Sequence, residues 1–235
     1  ISGVTYVPMP AGCPSPKSMG VDTLACKFLG CCLFAVIQSR SRTRSCNLNF
    51  GYPMTRLDIP IIDLTPYFEG GQNNKRKVAA DMNRACEDIG FFIITGHGVD
   101  PELCRKANNV SREFFDLPVE EKLVIGQTSD EANRGYEALG TEVLSATIGK
   151  MTPPDLKESF SLGPINVPDD PYYHSGAAAP HYARNMWPER PVGFREIIED
   201  YVKVMEKLAR DLHQLAAIAF NLPEDFFEPK LDKPF

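Results

Sequence analysis

Four histidines are the side chains here best suited to hold a metal or move a proton, and their spacing converges none of them. His97 stands between Gly96 and Gly98, His174 and His181 fall in a proline-rich stretch, and His213 falls in a helical one. A metal site needs several ligands on one face, and the sequence contains no HxD, HxH or HxxxH pattern. His97 is followed by Gly98-Val99-Asp100, one residue too long for an HxD pair, so it reads as part of a structural turn. The other three histidines have no acid at a fixed spacing and read as surface or packing residues. No catalytic and no metal-binding residue is assigned on these grounds. Of seven cysteines, Cys13, Cys26, Cys31, Cys32 and Cys46 precede residue 54 and lack zinc-finger spacing with histidine. Cys86 and Cys104 occupy apolar positions of predicted helices, as small core residues do, which suits a reducing compartment.

The elements that would position any chemistry centre on Asp88 to Val99, DIGFFIITGHGV. Phe91 to Ile94 is large, apolar and partly β-branched, which predicts a buried strand. Upstream, Val78, Met82, Ala85, Cys86 and Ile89 form a helical stripe from Lys75, with Gly90 at the C-cap. Ile59 to Leu64 predicts a short strand before that helix, so the two strands and the helix make a β-α-β unit. Tyr67 to Asn74 reads as a loop. Asp100-Pro101 opens a helix to Phe115, and Val119 to Lys122 starts a short one.

Residues 126–190 carry few regular signals, because prolines recur at 153, 154, 164, 168, 171, 180 and 188. Ser159 to Leu162 alternates and predicts an edge strand. So long an irregular segment suits a lid over a catalytic domain. Phe194 to Phe220 is the clearest helix, with a stripe from Ile198 through Leu208, Leu212 and Leu215 to Ala219. A stripe of that length needs a large partner surface.

Charge divides the chain at Met54. The first 53 residues hold five basic side chains against one acid, and the remainder holds twenty against thirty. The overall charge of −6 argues against a nucleic-acid surface. Phe28 to Ile37, ten apolar residues, is too short to span a membrane. Residues 1–53 read as a leader or upstream segment, expected to be disordered, with Met54 as the natural start and a cytoplasmic protein as the result. Gln38 to Ser45, rich in Arg and Ser, keeps an organelle transit peptide as the alternative.

IPIIDL at Ile59 to Leu64 and GFFIITGHGV at Gly90 to Val99 open a series of motifs. It continues through FFDLPVEEK (Phe114 to Lys122), NRGYEALGTE (Asn133 to Glu142), DLKESFSLG (Asp155 to Gly163) and NMWPERPVGFRE (Asn185 to Glu196). In this order the series resembles the N-terminal region of the isopenicillin N synthase-like 2-oxoglutarate/Fe(II)-dependent dioxygenases. The resemblance implies an α/β fold class: an N-terminal βαβ unit plus helices, and a long helix packing on a double-stranded β-helix (jelly-roll) core. That core would lie largely beyond this chain, so residues 54–235 would be a non-haem dioxygenase N-terminal domain ending before the catalytic domain.

It also implies Fe(II) and 2-oxoglutarate as cofactors of the intact enzyme, with none expected to bind this chain alone. The family's metal and cosubstrate residues, an HxD pair, a distal histidine and an RxS motif, have no match in this sequence. Expected partners are a small-molecule substrate and the chain's own C-terminal catalytic domain, with no nucleic acid and no membrane. In some relatives the segment at Arg134-Gly135-Tyr136 reaches the substrate. Arg134 could then pair a carboxylate and Tyr136 hydrogen-bond or stack, with Phe160 a weaker substrate-binding candidate and Trp187 weaker still. The competing reading makes this segment a loop anchor. A second reading of the whole is a non-catalytic interaction module docking through its long C-terminal helix.

Overall fold

The computed structural model describes residues 2–6, 24–29 and 32–37 as backbone, and residues 59–126, 134–140, 157–176, 178 and 182–231 in full. In chain order the elements are β1 (Ser2–Tyr6), β2 (Leu24–Leu29), β3 (Cys32–Ile37), β4 (Ile61–Asp63), α1 (Thr65–Glu69), α2 (Gln72–Asp88) and β5 (Phe91–Thr95). There follow α3 (Pro101–Phe115), α4 (Val119–Leu123), β6 (Gly135–Glu137), β7 (Glu158–Leu162), α5 (Phe194–Ala219) and α6 (Glu228–Leu231). Two compact units divide the chain: residues 1–14, 105–201 and 235 in one, and residues 15–104 and 202–234 in the other.

The second of these units contains the β-α-β motif. β4 and β5 pair in parallel, Ile61 opposite Ile93 and Asp63 opposite Thr95, within a sheet ordered β3-β2-β5-β4. Val78, Met82 and Ala85 bury the inner face of α2, as their helical spacing requires. The helix ends at Asp88, and Gly90 takes φ +79° beyond it.

Two local expectations are corrected. β5 is buried on one face only: Phe92 and Ile94 are 1% and 0% exposed, whereas Phe91 is 42% exposed. The alternation follows from the strand period of two. Tyr67 does not open a loop. It lies in α1, where Pro66 in the first turn costs no hydrogen bond, and its hydroxyl donates to Gln214 at 2.7 Å. On α5, Leu208, Leu212 and Leu215 are at most 2% exposed, while Tyr201, Met205 and Ala219 of the same stripe are half-buried.

The C-terminal end of α5 closes as a Schellman motif. Asn221 adopts φ +56°, its N–H donates to Ile218 at 3.0 Å, and the Leu222 N–H donates to Ala217 at 2.9 Å. Lys75 pairs with Glu224, and Arg210 pairs with Glu228 at 2.7 Å.

The other unit is built on a sheet ordered β1-β7-β6, antiparallel throughout. β7 is therefore the central strand, not the edge strand its alternation suggested. Phe114 is the hub of the aromatic core, with ring centroids 5.2 Å from Phe194, 5.3 Å from Phe160 and 6.0 Å from Tyr136. Farther along, Tyr173 and Tyr182 meet edge to face at 4.7 Å beside Ala178.

Three strands fall within residues 1–53. β1 pairs with β7, β2 pairs with β5, and β2 and β3 pair with each other. The short apolar runs LACKFL and CLFAVI suit such pairing. Met54 and the remaining leader residues lie outside the described residues.

Candidate functional site

The glycine turn after β5 is shaped by space as well as by conformation. Gly96 has φ +63°, and a Cβ there would fall 2.3 Å from both Asp63 Oδ1 and Thr65 Oγ1. His97 Nδ1 accepts a hydrogen bond from the Val99 N–H at 3.1 Å, so the imidazole braces the turn. The Thr65 side chain and N–H both bond Asp63, which holds its carboxyl below the usual carboxylate range.

Arg134, Tyr136 and Phe160 all lie in the unit containing β6 and β7, and all are buried, at 6%, 2% and 1% exposure. Tyr136 and Phe160 face each other across the β6–β7 register. Arg134 directly precedes β6, and its guanidinium covers Gly163 at the end of β7: a Cβ on Gly163 would fall 2.1 Å from Nη2 and 2.4 Å from Cζ. Only a glycine leaves that place open. Burial pushes the guanidinium pKa below the usual arginine range.

Asn185 fixes the same strand end. Its Oδ1 accepts the Gly163 N–H at 2.8 Å, and its Nδ2 donates to the Gly163 and Pro164 carbonyls at 3.2 Å each. Two segments thus grip Gly163, Asn185 through the backbone and the buried Arg134 through the missing side chain.

Tyr136 is held by a polar network. Its hydroxyl donates to Glu158 Oε2 at 2.6 Å, and Lys122 Nζ donates to the same oxygen at 2.7 Å. Lys122 also donates to the Phe115 carbonyl at 2.7 Å and stands 5.1 Å from the Tyr136 ring centre. Burial, then the hydrogen bond and charge of Glu158, hold the Tyr136 hydroxyl well above the usual phenol range. Phe160 packs between Phe114, Phe194 and Trp187, with centroids 5.3, 5.3 and 6.3 Å away.

Lys122, Glu158, Gly163 and Asn185 were not singled out from the sequence. Gly163 carried a signal, a glycine at the end of an alternating strand. Asn185 carried none beyond its place before Met186-Trp187-Pro188. His174 stands 3.7 Å from Asp169 at the surface, His213 Nδ1 lies 2.7 Å from the Ala209 carbonyl, and His181 lies outside the described residues. Among the described residues, no three His, Cys, Asp or Glu side chains group as a metal site requires. Also among the described residues, no helix is long and apolar enough to cross a membrane.

A mixed α/β region with a buried arginine at a strand end is the class that this fold and site define. Residues 59–190 match the family described as non-haem dioxygenase in morphine synthesis, N-terminal. The chain is 34% identical over 173 residues to a 2-oxoglutarate-Fe(II) type oxidoreductase of Emericella nidulans, covering 72% of this chain and 48% of that protein. It is 31% identical over 177 residues to a homoarginine-6-hydroxylase of Oryza sativa subsp. japonica, covering 72% and 51%. A full-length Neurospora crassa protein solved in complex with alpha-KG is similar at a TM-score of 0.58 and 28% identity, over 72% of this chain and 50% of that one. The chain belongs to the 2-oxoglutarate/Fe(II)-dependent dioxygenase family, as the N-terminal region. It spans about half the length of the curated relatives it matches.

Proposed function

We propose that this chain is the N-terminal part of an oxidoreductase that uses Fe(II), O2 and 2-oxoglutarate to oxidise a small molecule. The observation that carries this reading is the match over residues 59–190 to the dioxygenase N-terminal family. The ligands for iron and 2-oxoglutarate belong, on this reading, to the half of the relatives' length that this chain does not span, and the chain alone is inactive. Its own contribution is the Arg134 segment. A guanidinium is a planar donor suited to a carboxylate or another polar substrate group, and Tyr136 and Phe160 belong to the same substrate-binding segment.

The test is anaerobic calorimetry of Fe(II) and 2-oxoglutarate with this chain, alongside a succinate-release assay. The expected result is no stoichiometric binding and no succinate above a free-iron blank. Joined to the catalytic half, the same chain should release succinate, and Arg134→Ala should weaken substrate binding more than iron binding. An in-frame HxD pair encoded after Phe235 is also expected; a stop codon there would favour the interaction module. We further propose a boundary at Met54 and a cytoplasmic protein. The family match starting at residue 59 supports the boundary; an equal melting temperature for a chain begun at Met54 would agree with it, and a lower one would show that the β1–β7 and β2–β5 pairings contribute to stability.

A further inference from the structure

A groove of about 850 Å³ opens in the unit containing β6 and β7, and none of the substrate candidates Arg134, Tyr136 and Phe160 lines it. Its size is within the range that takes a small organic ligand. Ile165, Met186 and Trp187 give it an apolar wall, and Tyr182 adds an aromatic edge. The charge is of the opposite sign to the chain as a whole. Two arginines, Arg184 and Arg195, and one carboxylate, Glu199, are among its lining residues, on a molecule whose formal charge is −6.

The two arginines are not equivalent. Arg195 is committed: its Nε donates to Glu199 at 2.7 Å and its guanidinium stands 5.6 Å from the Trp187 ring centre. Arg184 is exposed and makes no hydrogen bond or ion pair among the described residues. His174, also on the groove, stands 3.7 Å from Asp169. The groove therefore combines one uncommitted guanidinium with an apolar, aromatic wall. The wall is anchored, because Asn185 beside Arg184 clamps the Gly163–Pro164 backbone by three hydrogen bonds.

We infer that this groove binds a small apolar carboxylate, its acid paired with Arg184 and its hydrocarbon body laid against Met186 and Trp187. A guanidinium takes a carboxylate through two parallel donors, and an aromatic wall takes the apolar remainder without further polar partners. A neutral ligand of the same shape would leave Arg184 unused.

Trp187 is the chain's single tryptophan and lines the groove, so its fluorescence reports occupancy directly. The probe is 4-phenylbutyrate, with 4-phenylbutanol as its neutral counterpart, titrated into the full 235-residue chain. The expected result is a saturable change with the acid and binding at least about tenfold weaker with the alcohol, the factor that one charge-assisted hydrogen bond supplies. Arg184→Gln should weaken the acid by about the same factor without moving the melting temperature, because the side chain is exposed, and Arg184→Lys should recover part of it. No saturable change up to about 10 mM overturns the inference, that being weaker than useful small-ligand affinity. Equal binding of acid and alcohol overturns it too. So does loss of binding in Arg134→Gln with none in Arg184→Gln, which would place the probe at Arg134. The readout needs no iron and no turnover, so its failure is separate from failure of the oxygenase reading.

Discussion

The guanidinium of Arg134 lies over the α-carbon of Gly163 so closely that a methyl group there would come within 2.1 Å of Nη2. Arginine and glycine are 29 positions apart in the chain and belong to adjacent strand ends of one sheet. The pair explains how a charged side chain stays buried at a fixed place: the strand end beneath it presents backbone alone.

Gly163→Ala should therefore expel the guanidinium. Gly163 does not have the positive φ that would itself disfavour alanine, so the cost is steric. The expected loss is about 1–3 kcal/mol, the usual range for overpacking a closed site. A double-mutant cycle with Arg134→Ala is the check. In the Arg134→Ala background the same methyl should cost little, and an undiminished cost would place the strain elsewhere.

Lys122 should be a sensitive single position for stability. It is 5% exposed, and it neutralises Glu158 while satisfying the Phe115 carbonyl. Lys122→Met leaves the Glu158 carboxylate partly buried beside the Tyr136 hydroxyl, and the expected loss is about 3–5 kcal/mol by denaturant unfolding. Adding Glu158→Gln removes the stranded charge and should restore a good part of it. A double variant less stable than the single one would count against this account.

The contrast between these two sites and the β-α-β motif shows what a linear reading can reach. The α2 stripe, the parallel β4–β5 strands and the turn at Gly96 rest on contacts between near neighbours or on strict periodicity. Lys122 stands in the string VEEKL, where any reading by composition makes it a surface residue. Its partner Glu158 is 36 positions away, across a stretch without helical or strand period. The central place of β7 was hidden for a related reason. One of its partners is β1, in a segment whose composition separates it from everything downstream. Arg134 was visible through its motif, but its burial depends on Gly163, and that depends on a strand pairing.

Asn221 offers a test of a helix end. Its φ of +56° is in the left-handed region, which asparagine tolerates and β-branched residues do not. Asn221→Val should cost about 1–2 kcal/mol, whereas Asn221→Gly should be neutral within about 0.5 kcal/mol. Thermal unfolding of the two variants decides it. Equal losses would mean that the side chain, and not the backbone conformation, closes α5.

Alkaline pH should weaken the fold through its buried phenols. The Tyr67 hydroxyl is pushed up to about 12 by burial and by the charges of Asp211 and Glu224. Tyr136 is raised by burial and Glu158, and Tyr182 is raised by burial among Tyr172 and Tyr173. In the unfolded chain each should ionise near pH ~10. Above that pH the unfolded state releases protons that the folded state retains, so unfolding gains free energy as pH rises. The stabilising contribution is thus fully present below about pH 10 and is lost above it, for Tyr67 as the pH climbs through about 12. Denaturant unfolding across this window, with tyrosinate absorbance followed in parallel, should show these three of the eight tyrosines ionising late. Lysines deprotonate over the same window, so the comparison that isolates the phenols is with Tyr67→Phe and Tyr136→Phe. Each variant should flatten the fall of stability with pH. Tyr136→Phe should in addition cost about 1 kcal/mol at neutral pH, where the bond from its hydroxyl to Glu158 is lost. An unchanged slope in both variants would show that ionisation of other groups drives the alkaline loss.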